Sequence, residues 1–190
     1  MAHISAKKSV PVVFASAFKY PFNRPKGLLN ILWVLIPVIG WFAYYGYVVT
    51  IVRSFLAGKF KETPMFDFSS NLRLGFFMFL KSLPFMVCYI IFSILLSMVP
   101  FGIVASIFIS LFLLPVLTIN FFKHATVESY FEFGKTAAVF DNIHDYLLVL
   151  LKSIGLGLVF LLMFLVLVGI PANSFTKHIF LADFYRRNVK

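Results

Sequence analysis

Residues 82 to 122 read SLPFMVCYIIFSILLSMVPFGIVASIFISLFLLPVLTINFF, a run of 41 residues without one Asp, Glu, Lys or Arg. A bilayer-spanning helix uses about 20 apolar residues at roughly 1.5 Å each, so a charge-free run twice that long has to cross, turn and come back. Val99-Pro100-Phe101-Gly102 marks the turn. Pro removes a backbone donor there and Gly can take a positive φ, leaving a helical hairpin with arms of about 17 and 20 residues.

The rest of the composition agrees. Of 190 residues, 61% are hydrophobic and only 13% charged, with a mean hydropathy of +0.96. A soluble domain carries nearer 25% charged residues. The 26 Phe, 8 Tyr and 2 Trp make 19% of the chain, and many fall at the edges of apolar runs, where aromatic rings favour the headgroup layer. The expected fold is all-α: one polytopic helical membrane domain over residues 1–190, with 4 to 6 membrane helices and interfacial segments.

The net charge of +10, from 17 Lys/Arg against 7 Asp/Glu, sits in short polar segments beside the apolar runs. That pattern is expected to set topology by the positive-inside rule and to attract anionic lipid, with no nucleic-acid partner. Cys88, the one cysteine, has no partner for a disulfide and is expected as a small apolar core residue. Lys7 and Lys8 precede a poor hydrophobic core interrupted by Pro11, without a clear cleavage site, so no removed signal peptide is expected.

Outward from the hairpin, residues 10–22 are too short to cross and read as an interfacial segment. Residues 28–52 are apolar with Pro37 and Gly40 at their centre, and both flanks are basic. A single kinked crossing and a re-entrant hairpin turning at Pro37 to Gly40 both remain open. The remaining apolar segments are 74–99, 103–122 and 147–170, followed by an amphipathic tail, 175–190.

Leu80-Lys81-Ser82 recurs as Leu151-Lys152-Ser153, and the same offset carries Pro100 onto Pro171 and Gly102 onto Asn173. This points to an internal duplication, in which the tail from Phe175 is a return arm. The turns at Pro37, Pro100 and Pro171 then face one side of the membrane and nearly all polar material the other. That arrangement places the bases on the cytoplasmic face of a cell inner membrane, whereas a plain four-span path splits them almost evenly.

Several residues have the right type for chemistry. His124, Glu128 and Glu132 share one face if a helix continues through them, with Asp141, His144 and Asp145 following. A metal or proton site needs such convergence; a solvated face pairing with Lys123 and Lys135 is the plainer reading. Lys81 and Lys152 lie about two turns inside apolar segments, as lipid or pathway residues or as side chains snorkelling to water. Ser93, Ser97, Gly102, Ser106 and Ser110 offer small residues at helix-packing spacing along the hairpin arms. Pro84, Pro115 and Gly155 are candidate helix breaks. No phosphate-binding Gly loop, nucleophile elbow or metalloprotease helix motif occurs. The expectation is a protein that is not an enzyme and carries no cofactor.

Ala17-Phe18-Lys19-Tyr20-Pro21-Phe22, Gly46-Tyr47 leading through Arg53 to Gly58, the Pro64 to Phe68 connector, the Phe133 to Tyr146 segment and Phe184-Tyr185-Arg186 together resemble the uncharacterised prokaryotic membrane family known as domain of unknown function 4013. Pro64 to Phe68 is less acidic than that family's pattern. The resemblance implies a multi-pass helical membrane protein with interfacial segments, and no activity or functional residue. The leading functional expectation is an accessory or scaffold subunit that binds lipids and other membrane proteins, or itself as a homo-oligomer; the alternative is a small transporter or lipid-handling protein.

Overall fold

In a computed structural model of the chain, the described residues are 10–166 and 168–189. Lys7 and Lys8, part of the signal-peptide reading, lie outside them, as do Leu167 and Lys190. Among the described residues every regular element is helical, and the elements pair into three helical hairpins.

The first hairpin decides between the two readings of residues 28–52. After α1 (Phe14–Lys19) and a 3-10 turn at Tyr20–Asn23, α2 (Pro25–Leu28) passes into a 3-10 segment, Leu29–Leu35. The chain then reverses at Pro37 and Val38, and α3 (Ile39–Leu56) comes back. Val38 takes φ 62°, and Ile39 N donates to Pro37 O at 2.7 Å, closing the turn. Gly40 permits the reversal, because a Cβ there would lie 2.9 Å from the carbonyl carbon of Trp33. Segment 28–52 is therefore a short helical hairpin and not one kinked helix, and its two basic flanks meet where Asn23 and Arg24 donate to Lys61 O and Thr63 O. The α3 helix ends with Gly58 at φ 77°, where Lys59 N reaches back to Ser54 O at 2.9 Å, the common left-handed helix stop.

The second hairpin is the 82–122 run with an added foot. Asp67 accepts from Ser70 N at 2.7 Å and so caps α4 (Phe68–Ser97). The helix continues through Pro84 without a break. Phe101 takes φ 65° in the turn, and α5 (Gly102–Phe108) starts where a Cβ on Gly102 would lie 2.7 Å from the carbonyl carbon of Leu96. A π turn, Ile109–Leu113, then leads into α6 (Leu114–His124). The irregularity belongs to Pro115, which has no N–H to give the carbonyl four residues back, that of Leu111. Tyr146, on the later helix Ile143–Leu162, supplies the missing donor, its hydroxyl reaching Leu111 O at 2.5 Å.

After the short α7 (Ala137–Asp141), the third hairpin comprises α8 (Ile143–Leu162), a 3-10 segment at Met163–Val166, and a return arm made of α9 (Gly169–Thr176) and α10 (Ile179–Asn188). The return arm runs antiparallel to α8. Asn173 lies near Gly157, Lys152 Nζ stands 5.9 Å from the centre of the Phe180 ring, Phe184 meets Tyr146 edge-on at 5.2 Å, and Arg187 pairs with Asp145 at 2.8 Å. The tail is thus a return arm, but the chain reverses ahead of Pro171, which sits inside the first turn of α9. Gly169, not Asn173, makes the tight approach, with a Cβ position 2.7 Å from the carbonyl carbon of Met163. The Pro100 to Pro171 correspondence therefore does not hold in space.

Two packing centres join the hairpins. At the first, α3 crosses the foot of α4 so closely that a Cβ on Gly46 would lie 2.8 Å from Gly75 N, and one on Gly75 equally close to Gly46 N. Thr50 Oγ1 donates across the crossing to Asn71 Oδ1 at 3.1 Å, and Phe42 packs on Phe76 and Phe79. At the second, α10 is buried from Ile179 through Tyr185 among α3, α6 and α8. The tail is core rather than a surface amphipathic strip. Residues 10–22 likewise dock inward: Ala17 and Tyr20 are fully buried, and Phe18 stacks on Phe160 at 5.6 Å.

The outer half of the second hairpin is different. Ile90 (58% exposed), Leu95 (60%), Phe101 (85%) and Ile103 (74%) have little protein against them. Cys88 is exposed for the same reason, not a core residue as expected. The helices Phe68–Ser97, Gly102–His124 and Ile143–Leu162 are each long and apolar enough to cross a membrane.

Candidate functional site

The predicted acidic face does not form. The α6 helix stops at His124 because Ala125 turns left-handed at φ 56°, and residues 128–130 resume as an isolated 3-10 turn. His124, Glu128 and Glu132 therefore share no helical face. Glu132 accepts from Asn120 Nδ2 at 3.3 Å, and Asp145 is the partner of Arg187. Among the described residues no three His, Cys, Asp or Glu side chains gather as a metal would require. The connector that carries these residues climbs the flank of the second hairpin, where Phe140 stacks on Phe108 at 6.2 Å. Polar material is therefore not confined to the hairpin's foot.

The charges that matter to the fold meet at α10. Buried Asp183 accepts from Val12 N at 3.0 Å, from Arg186 at 2.8 Å and from Arg187 at 3.0 Å. Arg187, itself buried, bridges to Asp145, and Asn188 joins it at 3.0 Å. One carboxylate thus ties the N-terminal segment to the tail. Beside it, the Tyr185 hydroxyl donates to Asn120 Oδ1, and Asn120 gives its own amide to Ser129 O at 2.7 Å. Burial, and secondarily the nearby Glu132 charge, push the Tyr185 phenol up to about 12, so it stays a neutral donor.

Lys81 and Lys152 are held apart. Lys81 Nζ donates to Ala125 O at 2.8 Å, capping the end of α6 from an exposed position. Lys152 lies over the Phe180 ring. Neither lines a cavity with the other. Of the small residues, Gly102 is buried at the turn, Ser93 and Ser106 are half-buried, and Ser97 and Ser110 are exposed. Ser97, Ser106 and Ser110 line a shallow groove of about 370 Å³ with Ile103, Ile107 and Leu111. Within the chain the close helix crossing falls to Gly46 and Gly75 instead. A Gly in each of two apolar helices was the available signal, but only folding pairs them.

A second cavity, about 440 Å³, opens between α6, α8 and the joint of α9 with α10. Its polar lining comes from Ser110, Thr118, Ser153, Asn173, Lys177 and His178; Leu114, Pro115, Leu150 and Ile154 form apolar wall. The π turn and the α9–α10 joint border it. Of the three proposed helix breaks, Pro115 alone is associated with one; α4 and α8 run unbroken through Pro84 and Gly155. Burial, with the adjacent Lys177 ammonium, holds the His178 imidazole down to about 4.

Helical hairpins with exposed apolar arms, span-length helices and a polar core carried on interlocking return segments define an all-helical polytopic membrane protein. Residues 29–169 match the family described as Protein of unknown function (DUF4013), and the chain belongs to that family. No curated protein and no solved structure matches it significantly.

Proposed function

We propose that the protein is a non-enzymatic accessory subunit of a membrane assembly, whose second hairpin receives a helix of another membrane protein. The reading rests on the Ser97, Ser106 and Ser110 groove, which no other element among the described residues fills. In lipid, helices associate by close packing of small residues and by hydrogen bonds, because the tails are as apolar as the side chains. A groove floored by three serines and edged by Ile103 and Ile107 offers both. The core anchored at Asp183 makes the chain a rigid mount for that hairpin. The protein sits in the cytoplasmic membrane with its basic segments on the cytoplasmic face, where they contact anionic lipid.

Gentle solubilisation followed by mass measurement tests the reading. A defined hetero-complex or homo-oligomer is expected, and Ser106→Leu should release it while leaving the chain's thermal unfolding unchanged. A stable lone monomer, or a complex indifferent to Ser106→Leu, refutes it. Aqueous maleimide labelling, in a chain with Cys88 replaced by Ala, tests the seating. In inside-out membrane vesicles and with an impermeant maleimide, a Cys at position 59 on the cytoplasmic face should be labelled and one at position 101, across the membrane, protected.

A further inference from the structure

Apart from Ser110, the cavity between α6, α8 and the α9–α10 joint is built from parts the accessory reading does not use. Three of its polar side chains have partners inside the protein. Ser153 Oγ donates to Val149 O at 2.8 Å, Ser110 faces the Tyr89 hydroxyl at 3.5 Å, and Thr118 pairs with Tyr130. The other three, Asn173, Lys177 and His178, make no side-chain hydrogen bond or ion pair among the described residues, although they sit together at one break in a helix. The lining holds one ammonium and no carboxylate. At that joint α10, ten residues long, begins with no side-chain cap at His178, so its first N–H groups lack helical partners. The carbonyl end of α9 abuts the same joint and offsets that dipole, so the net positive charge comes from Lys177.

The walls have the opposite character. Leu114, Pro115, Val149, Leu150, Ile154 and Leu181 are apolar, and Ile154 at the rim is 60% exposed, continuous with exposed Leu151 and Leu158 on α8. A small anion has no use for such walls, and a bare hydrocarbon gives the exposed Lys177 and Asn173 and the half-buried His178 no polar contact. A molecule with one anionic headgroup and an acyl chain satisfies both.

We infer that this cavity is a binding site for an anionic acyl amphiphile. Lys177 holds the headgroup charge, Asn173 and His178 hydrogen-bond its oxygens, and the chain leaves along the apolar wall between α6 and α8. The imidazole is neutral at pH 7 and so acts as a hydrogen-bonding group rather than a second charge. The headgroup is a phosphate or a carboxylate; both meet the same three side chains. The site shares Ser110 with the serine groove but none of its three headgroup contacts, so each reading fails or survives by its own measurement.

The test is native mass spectrometry of the full chain in a non-ionic detergent, titrated separately with palmitate, palmitoyl lysophosphatidic acid, palmitoyl lysophosphatidylcholine and inorganic phosphate. One equivalent of palmitate or of the lysophosphatidic acid should bind, and which of them binds more tightly identifies the headgroup. The zwitterionic lipid and inorganic phosphate should each bind at least roughly tenfold more weakly, as loss of one charged hydrogen bond or of the chain's burial predicts. Lys177→Gln should weaken the anionic lipid by about tenfold or more, with Lys177→Arg restoring most of it and the exposed Lys59→Gln changing nothing. If Lys177→Gln fails to fold, Asn173→Leu, which removes a headgroup contact without touching the charge, must weaken binding in its place. Equal binding of all three lipids, tight binding of inorganic phosphate alone, no binding at all, or indifference to these substitutions overturns the site.

Discussion

Replacing Gly46 by Ala puts a single carbon where α3 crosses α4. That carbon would lie 2.8 Å from Gly75 N and closer still to Asn71 O, against 3.4–4 Å for ordinary contact. Both neighbours are backbone, so no side-chain rotation relieves the clash and the helices must part by roughly 1 Å or more. Overpacking of this kind costs about 1–3 kcal/mol. Parting also stretches the Thr50 to Asn71 hydrogen bond, a contact worth about 0.6 kcal/mol between membrane helices. Ala is the better helix former by about 1 kcal/mol, which offsets part of the loss. The net expectation is a destabilisation of about 0.5–2.5 kcal/mol. Titration of the detergent-solubilised chain with dodecyl sulfate, followed by tryptophan emission, measures it, because Trp33 stacks on Phe66 at 5.6 Å and reports loss of this region. Gly134→Ala is the matched control, since nothing lies within 4 Å of a Cβ there, and it should stay within about 0.5 kcal/mol of the parent. Equal midpoints for Gly46→Ala and the parent, or an equal loss from Gly134→Ala, would refute the crossing.

Three further outcomes follow from the geometry. Tyr146→Phe strands the Leu111 carbonyl that Pro115 cannot bond, and should lower stability by about 1–3 kcal/mol in the same titration; no change would mean that the carbonyl has another donor. Asp183→Ala leaves Arg187 short of a partner and frees Val12 N, so a loss of about 3–5 kcal/mol is expected, together with faster proteolysis near residues 10–19; an N-terminal segment as protected as in the parent would show that it is held by other contacts. His178, outside the three span-length helices, has a folded value near 4 against an ordinary 6.5. Between those values the unfolded chain takes up a proton that the folded chain refuses, so stability is full above about 6.5 and falls as pH drops towards 4, by at most about 3 kcal/mol. His178→Gln should flatten that slope, and an unchanged slope would assign it to another group.

The second hairpin was readable because its signal is a length. No fold in water accommodates 41 uncharged, mostly apolar residues as one element, and Pro100 with Gly102 marks the only sharp reversal near its middle. The first hairpin was half readable: basic flanks on both sides of residues 28–52 argued for a return, but the decision lay in whether Gly40 could approach Trp33. The acidic face at His124, Glu128 and Glu132 failed for a local reason. Helical spacing assumes that the helix continues, and Ala125, an ordinary helix former, gives no sign that it will turn left-handed under the neighbouring packing. Asn173, Lys177 and His178 read as the polar start of a tail, because nothing in their spacing reveals that the tail folds back along α8 and walls an open cavity.

Hydropathy, charge placement and the Pro-Gly turn therefore determined by themselves that this is an all-helical membrane protein built on hairpins, since each is a property of one contiguous segment against its solvent. Which residues touch was decided only by the tertiary structure. The Gly46–Gly75 crossing, the Asp183 ties to Val12 and Arg187, the Tyr146 donor to Leu111 and the Lys177 cavity each join residues far apart in the chain. Their energies come from atoms meeting at contact distance, and no one-dimensional pattern carries that information.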